Sequence, residues 1–271
     1  MTIKFRRLIL SAAMMIVMSV ASLGGTLNVQ AKTIDLGFLL DRSGSIGNAN
    51  YTTAKNALAA ALAQIPVQGA TADTYRVSVV SFSSSITTVV APTIVTVASI
   101  GGIQTAITGD AYSGGSTNMN GAIDAMVAAF AGAGGLGDLS LMNMTTDGQP
   151  CCGASSTNAT TIAARDAAVI AGWDGLSVEA IGGGVDIAFL KTLVFPGTPA
   201  GTVDVNNIPN PAVAGFVLAV TNFDQYGAAI SAKVQAIVDT QAIPVPAALP
   251  LFGTGLALMG FLGWRRKQKL A

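Results

Sequence analysis

Between residues 32 and 242 the chain alternates short apolar runs rich in Val, Ile and Leu with longer Ala-rich stretches, and this rhythm constrains the fold more than any other feature. Residues 34–40, 75–82, 86–90, 139–144, 176–181 and 216–220 read as strands. Residues 50–63, 100–107, 118–131, 157–171, 186–193 and 223–238 read as helices, with few breakers inside them. Strands that alternate with helices bury a mostly parallel sheet between two helical layers. The run 86–90 is short and follows 75–82 too closely for a crossover helix, so it is expected to pair as an antiparallel edge strand. The expected fold is α/β: one open, doubly wound, Rossmann-like sheet. Its 211 residues suit a single domain. Residues 196–211, rich in Gly, Pro and Asn, read as a surface excursion.

The two ends differ in kind from this middle. Lys4, Arg6 and Arg7 precede an uncharged run over 8–21, and Val29-Gln30-Ala31 closes the segment. A charged start, an apolar centre and small residues at the −3 and −1 positions read as a secretory signal peptide over 1–31, cut after Ala31. The run is short for an uncleaved membrane helix, the other reading of such a segment. At the far end, the 18 uncharged residues 247–264 would span about 27 Å as a helix, enough to cross a bilayer. Arg265-Arg266-Lys267 then reads as a cytoplasmic stop. The segment 243–271 begins Ile243-Pro244-Val245-Pro246-Ala247 and carries a Gly-Leu-x-Leu-x-Gly run from Gly255 to Gly260. It resembles the PEP-CTERM sorting signals of exopolysaccharide-producing Gram-negative bacteria, in the variant built on Val-Pro-Leu-Pro-Ala. That resemblance implies an exosortase-type membrane enzyme as processing partner, and release or transfer to the cell surface. A plain, permanent C-terminal anchor rests on the same apolar span.

Charge supports export of the middle. The 271-residue chain has 14 basic and 14 acidic residues and no His. Three basic residues lie before Leu8 and four after Trp264. All 14 acids, 13 of them Asp, lie in the middle beside only seven basic residues, which leaves that segment at −7. An acidic body lacks the basic face that a nucleic-acid binder needs. Without His there is no Ser-His-Asp triad, no His-ligated zinc and no His acid–base chemistry.

Three loops carry the chemistry. The first strand ends in Asp41-Arg42-Ser43-Gly44-Ser45, Gly114-Gly115-Ser116-Thr117-Asn118 opens the third helix, and the fourth strand ends in Thr145-Thr146-Asp147-Gly148. Ligands of open α/β sheets bind beyond the carboxyl ends of the strands, so these loops are expected to converge. Asp41, Ser43, Ser45, Thr117 and Asp147 offer only hard oxygens, a set that suits Mg²⁺, with Mn²⁺ or Ca²⁺ as substitutes, and suits zinc poorly. Positions 41, 43 and 45 would let one tight turn aim three oxygens inward, with Gly44 expected to relieve the backbone. Each loop also has an ordinary reading, as a turn or as a helix cap.

Asp41-x-Ser43-x-Ser45, the distant Thr117 and Asp147 in its Thr-Asp-Gly turn together resemble a von Willebrand factor A domain with a metal-ion-dependent adhesion site. The resemblance runs from about 33 to 238 and includes the Ile-Gly-x-Gly turn at Ile181-Gly182-Gly183-Gly184. It implies that Ser43, Ser45 and Thr117 bind the metal directly in the ligand-competent state, while Asp41 and Asp147 act largely through water. The second Thr often found two residues after Thr117 is Met119 here. Cys151 and Cys152 follow the last loop; after export they would form a vicinal disulfide, pair with another chain or stay reduced.

The expected function is a non-enzymatic, exported surface module that captures an acidic group of a protein or polysaccharide partner through the metal. A structural protein of an exopolysaccharide matrix, with the metal only stabilising the fold, is the alternative. A metal-assisted hydrolase is disfavoured, because the one Glu, Glu179, lies in a strand without an evident nucleophile.

Overall fold

The computed structural model describes residues 31–151, 156–197 and 201–241. The expected leader up to residue 30, Cys152 and the tail 243–271 lie outside the described residues. No helix among the described residues is long and apolar enough to cross a membrane.

The elements follow the expected alternation. In chain order they are β1 (Thr33–Asp41), α1 (Asn48–Leu62), β2 (Thr74–Phe82), β3 (Ile86–Ile94), α2 (Ile100–Gly109), α3 (Met119–Gly132), β4 (Leu139–Thr146), α4 (Asn158–Ile170), β5 (Gly175–Ile181), α5 (Ile187–Leu193), β6 (Thr202–Val203), β7 (Val217–Val220) and α6 (Phe223–Gln241). They build a seven-stranded sheet in the order β3-β2-β1-β4-β5-β7-β6. Among the described strands only the β2–β3 pair is antiparallel; the others run parallel. The chain is an open, doubly wound α/β domain with one antiparallel edge strand.

Period-two alternation in β1 explains the two cores. Ile34, Leu36, Phe38 and Leu40 pack on one face with Tyr51, Leu58, Leu62, Ile230 and Val234 of α1 and α6. Leu39 points to the other face, where Met126 and Phe130 of α3 pack with Met142, Met144 and Trp173. Gly37 shares that second face for a steric reason: a Cβ there would lie 2.8 Å from the Met126 sulfur and 3.1 Å from the Trp173 ring. A strand buried on both faces matches an almost unbroken apolar run.

Two details depart from the sequence-based expectation. β3 reaches Ile94 rather than stopping at Val90, passing through Pro92. Its register with β2 slips between Val77 and Val80, and this irregularity on an edge strand is where a residue without an N–H is tolerated. Inside the expected excursion 196–211, Thr202–Val203 adds a two-residue parallel strand to the free edge of β7.

The strand order places the site. β1 connects through α1 to β2 on one side and pairs with β4 on the other, so the winding direction reverses between β1 and β4. Helices leaving the carboxyl ends of these two strands diverge to opposite faces and open a crevice there.

Candidate metal centre

Asp41 ends β1 and Thr146 ends β4, and the parallel register sets Leu40 beside Thr145. The two loops that follow therefore rise side by side at the crevice. The third loop, 110–118, crosses from α2 to α3 above them. Its main chain is bonded to the Asp41 turn twice: Gly114 N–H donates to the Arg42 carbonyl at 3.1 Å and Gly44 N–H to the Gly115 carbonyl at 2.9 Å.

The five oxygen-bearing side chains meet at this point. Asp41 is buried, and its two oxygens accept from Ser43 N–H at 2.8 Å and from Thr146 Oγ1 at 2.7 Å. Ser43 Oγ lies 3.2 Å from Ser45 Oγ, and Ser45 Oγ donates to Asp147 Oδ1 at 2.7 Å. Thr117 is buried beside them. A Cβ added at Gly148 would stand 3.6 Å from Ser45 Oγ and 4.0 Å from Thr117 Oγ1, so both hydroxyls border the same glycine.

Electrostatics in this cluster are unbalanced. Burial pushes the Asp41 carboxyl up to about 6; hydrogen bonds from Ser43 and Thr146 pull it back only partly, and the charge of Asp147 adds to the rise. Burial also raises Asp147, against the hydrogen bond from Ser45. The hydrogen bonds to both acids come from uncharged donors. The adjacent guanidinium of Arg42 turns away to Asp110. A divalent cation fits this arrangement: it would supply the missing positive charge, and hard carboxylate and hydroxyl oxygens are the donors that Mg²⁺, Mn²⁺ or Ca²⁺ take. Among the described residues no three Asp, Glu or Cys side chains converge anywhere, so hydroxyls have to complete such a shell.

Several local roles differ from those expected. Gly44 is not among the glycines with positive φ. Its use is close approach, since a Cβ there would lie 3.2 Å from the Gly115 carbonyl oxygen. The ordinary cap reading fails for the first loop, since α1 is entered at Gly47 without a side-chain cap; it holds for the second, where Asn118 caps α3 by accepting from Gly121 N–H and leaves the Thr117 hydroxyl out of that role. Met119 is buried in the α3 core, which accounts for an apolar residue where a second Thr is often found.

Sequence reasoning assigned no role to Thr146 or Arg42. Neither role was legible: Thr146 meets Asp41, 105 positions away, only because β4 pairs with β1, and the partner of Arg42, Asp110, is 68 positions away. Glu179, the one glutamate, is buried against Lys233 at 2.7 Å and is not exposed for proton transfer.

Cys151 is disulfide-bonded, and Cys152 lies outside the described residues. The Cys151 N–H donates to the Thr117 carbonyl at 3.3 Å, and Ser156 Oγ donates to the same oxygen at 2.9 Å. Cys151 and Ser156 thus both lie against the main chain of Thr117.

The sheet order and this loop cluster define a class, and residues 35–228 match the family model of the von Willebrand factor type A domain. The chain belongs to that family. Among solved structures it is similar to proximal thread matrix protein 1 from the mussel byssus, in a form with a zinc-occupied MIDAS motif (18% identity, 76% of this chain and 48% of that one, TM-score 0.56). It is similar as well to a von Willebrand factor type A protein from Catenulispora acidiphila (16% identity, 75% and 42%, TM-score 0.57). A third is the pilus adhesin SpaC from Lactobacillus rhamnosus GG (14% identity, 79% and 30%, TM-score 0.53). At these identities the likeness carries the fold. The chain spans about half the length of the mussel protein. No curated protein matches the sequence.

Proposed function

We propose that this protein is an exported, non-enzymatic binding module that captures an acidic group of a protein or polysaccharide partner through a divalent metal, Mg²⁺ in the first instance. The observation that carries the reading is the meeting of Asp41, Ser43, Ser45, Thr117 and Asp147 at the β1/β4 crevice, around a buried carboxylate hydrogen-bonded by uncharged donors. When bound, the cation would act as a Lewis acid with a position open to an outside carboxylate. Ser43, Ser45 and Thr117 would hold it directly through neutral hydroxyls, which leaves its charge largely available to the partner. Asp41 and Asp147 would act through water and orient those hydroxyls, as Asp147 already orients Ser45. An acidic body repels an acidic partner, so capture would depend strictly on the metal. Similarity in fold to a matrix protein and to a pilus adhesin agrees with a role outside the cell.

The flanking segments give the route. Residues 1–31 would direct export and be removed. Residues 243–271 would hold the precursor in the membrane until an exosortase-type enzyme acts on it, placing the product on the surface or in the matrix of a Gram-negative bacterium.

Two measurements test this. Titration with MgCl₂ or MnCl₂ should give one site in the wild type and none in Asp41→Ala. Pull-down of surface or matrix material should be lost on adding EDTA. Capture that survives both EDTA and Asp41→Ala would refute the adhesive role. A metal that only stabilises the fold, as in a passive matrix component, would instead show as an Asp147→Ala protein with a lower melting temperature and unchanged matrix retention.

A further inference from the structure

We propose that Arg42, which lies between two residues of the candidate metal turn and ligates nothing itself, positions Thr117 against that turn and so sets the metal affinity of the site. The proposal rests on the metal-binding reading above and adds a residue to it.

Arg42 grips the loop 110–118 at two places. At the far part of the loop its carbonyl accepts from Gly114 N–H at 3.1 Å. At the base its guanidinium reaches Asp110, where α2 ends: Nη1 donates to Asp110 Oδ1 at 3.2 Å and to the Ala111 carbonyl at 3.1 Å. Nη2 donates to Thr87 Oγ1 of β3 at 2.5 Å. The Arg42 and Asp110 side chains are only 7% and 11% exposed, so the pair is held out of water.

Two residues of α1 secure Asp110 from the other side. Tyr51 donates its hydroxyl to Asp110 Oδ2, and Lys55 Nζ donates to the Asp110 carbonyl at 2.6 Å. Asp110 is thus a fixed post and Arg42 the bracket between post and turn. Thr117 sits seven residues beyond Asp110, and nothing in the spacing of the loop fixes its distance from Ser43. The bracket shares that task with the Gly44 N–H bond to the Gly115 carbonyl and with the donors on the Thr117 carbonyl, and it is the tie that joins the base of the loop at Asp110 to the turn, because Arg42 is covalently continuous with Asp41 and Ser43. A planar fork with several fixed donors can hold two groups in one geometry, and an ammonium cannot. The guanidinium is also kept from opposing a cation nearby, because Asp110 compensates its charge.

The test uses the full-length chain with Mn²⁺ as probe, read by calorimetric titration and by the electron paramagnetic resonance of bound Mn²⁺, with melting temperature in EDTA measured alongside. Arg42→Lys keeps the charge and loses the fork. It should weaken Mn²⁺ binding roughly tenfold, the usual effect of removing a residue that orients metal ligands, and broaden the resonance, while melting in EDTA stays close to wild type. Asp110→Asn should weaken binding to a similar degree, and the double variant should be no weaker than the worse single one, because both act through one bracket. If Arg42→Lys fails to fold, Asp110→Asn alone carries the test. Mn²⁺ affinity equal to wild type in the folded variants, with or without a lower melting temperature, overturns the proposal and leaves the metal centre standing. A wild-type chain that takes up no Mn²⁺ overturns the metal centre itself, and the bracket with it.

Discussion

Thr146 Oγ1 donates to Asp41 Oδ2 at 2.7 Å across the seam between β4 and β1, and the same hydroxyl accepts from Gly148 N–H at 3.2 Å. One threonine therefore ties the buried acid of the first loop to the turn that carries Asp147. Thr146→Val keeps the shape and removes both bonds. It should cost about 1–2 kcal/mol of stability in EDTA, because a buried acceptor loses its donor. It should also weaken Mn²⁺ binding. Urea denaturation and calorimetric titration read the two effects separately; no change in either would show that the seam does not depend on this hydroxyl.

Asp41→Asn should act in opposite directions with and without metal. The carboxyl of Asp41 is raised to about 6 chiefly by desolvation, which marks an ionised group destabilising its own fold at neutral pH. Neutralising it should raise stability in EDTA by about 1–2 kcal/mol at pH 7. The same change should abolish the rise in melting temperature on adding Mg²⁺. An Asp41→Asn protein less stable than wild type in EDTA would refute the account of the buried charge.

Lys233 of α6 is 1% exposed and donates to Glu179 of β5, which is fully buried. Asn143 donates to Glu179 Oε2 at 2.7 Å and accepts from Lys233, Thr145 donates to the same Oε2 at 3.1 Å, and the Lys233 ammonium lies 5.1 Å from the Phe216 ring. Breaking the pair from one side, in Lys233→Met, leaves a buried carboxylate without its cation and should cost about 3–5 kcal/mol. Adding Glu179→Gln should recover part of that loss. A full double-mutant cycle in urea with no coupling would exclude a cooperative network.

Alkaline pH should unfold the protein through its tyrosines. Burial, then the charge of Asp73, pushes Tyr75 up to about 12. Burial raises Tyr51 and Tyr226 further, with Asp110 adding to the first and Glu179 to the second. Unfolded tyrosines ionise near pH 10. Above that pH the folded state holds more protons than the unfolded one, so stability falls as pH rises, by at most about 1.4 kcal/mol per pH unit for each tyrosine. Lys233 works the other way: burial lowers it, against Glu179, so it adds stability as pH climbs toward 10.5. It is one group against three. Urea midpoints between pH 8 and 11.5 should fall above pH 10, less steeply in Tyr75→Phe. A flat profile to pH 11 would contradict the burial of these hydroxyls.

The sequence by itself determined the type and order of nearly every element, because side-chain period is a local property. Ile34 to Leu40 could only be a strand buried on both faces, and Asp41-x-Ser43-x-Ser45 could only sit at its carboxyl end. It also singled out five oxygen-bearing side chains on the three loops that the fold brings to one crevice. What it could not hold was anything decided by chain segments meeting at a distance. Thr202–Val203 is a strand only because β7 offers an open edge, and two residues have no period to read. Pro92 is tolerated within β3 because β3 lies at the rim, where the register slips. Lys233 looks like one more polar residue on a helix until Glu179 comes up beneath it from β5. Arg42 occupies a position of the Asp41 turn at which the motif accepts any residue, and only the tertiary structure brings Asp110 within its reach. Local chemistry fixed which groups could bind a cation; long-range packing, which has no signature along the chain, decided how firmly they are held together.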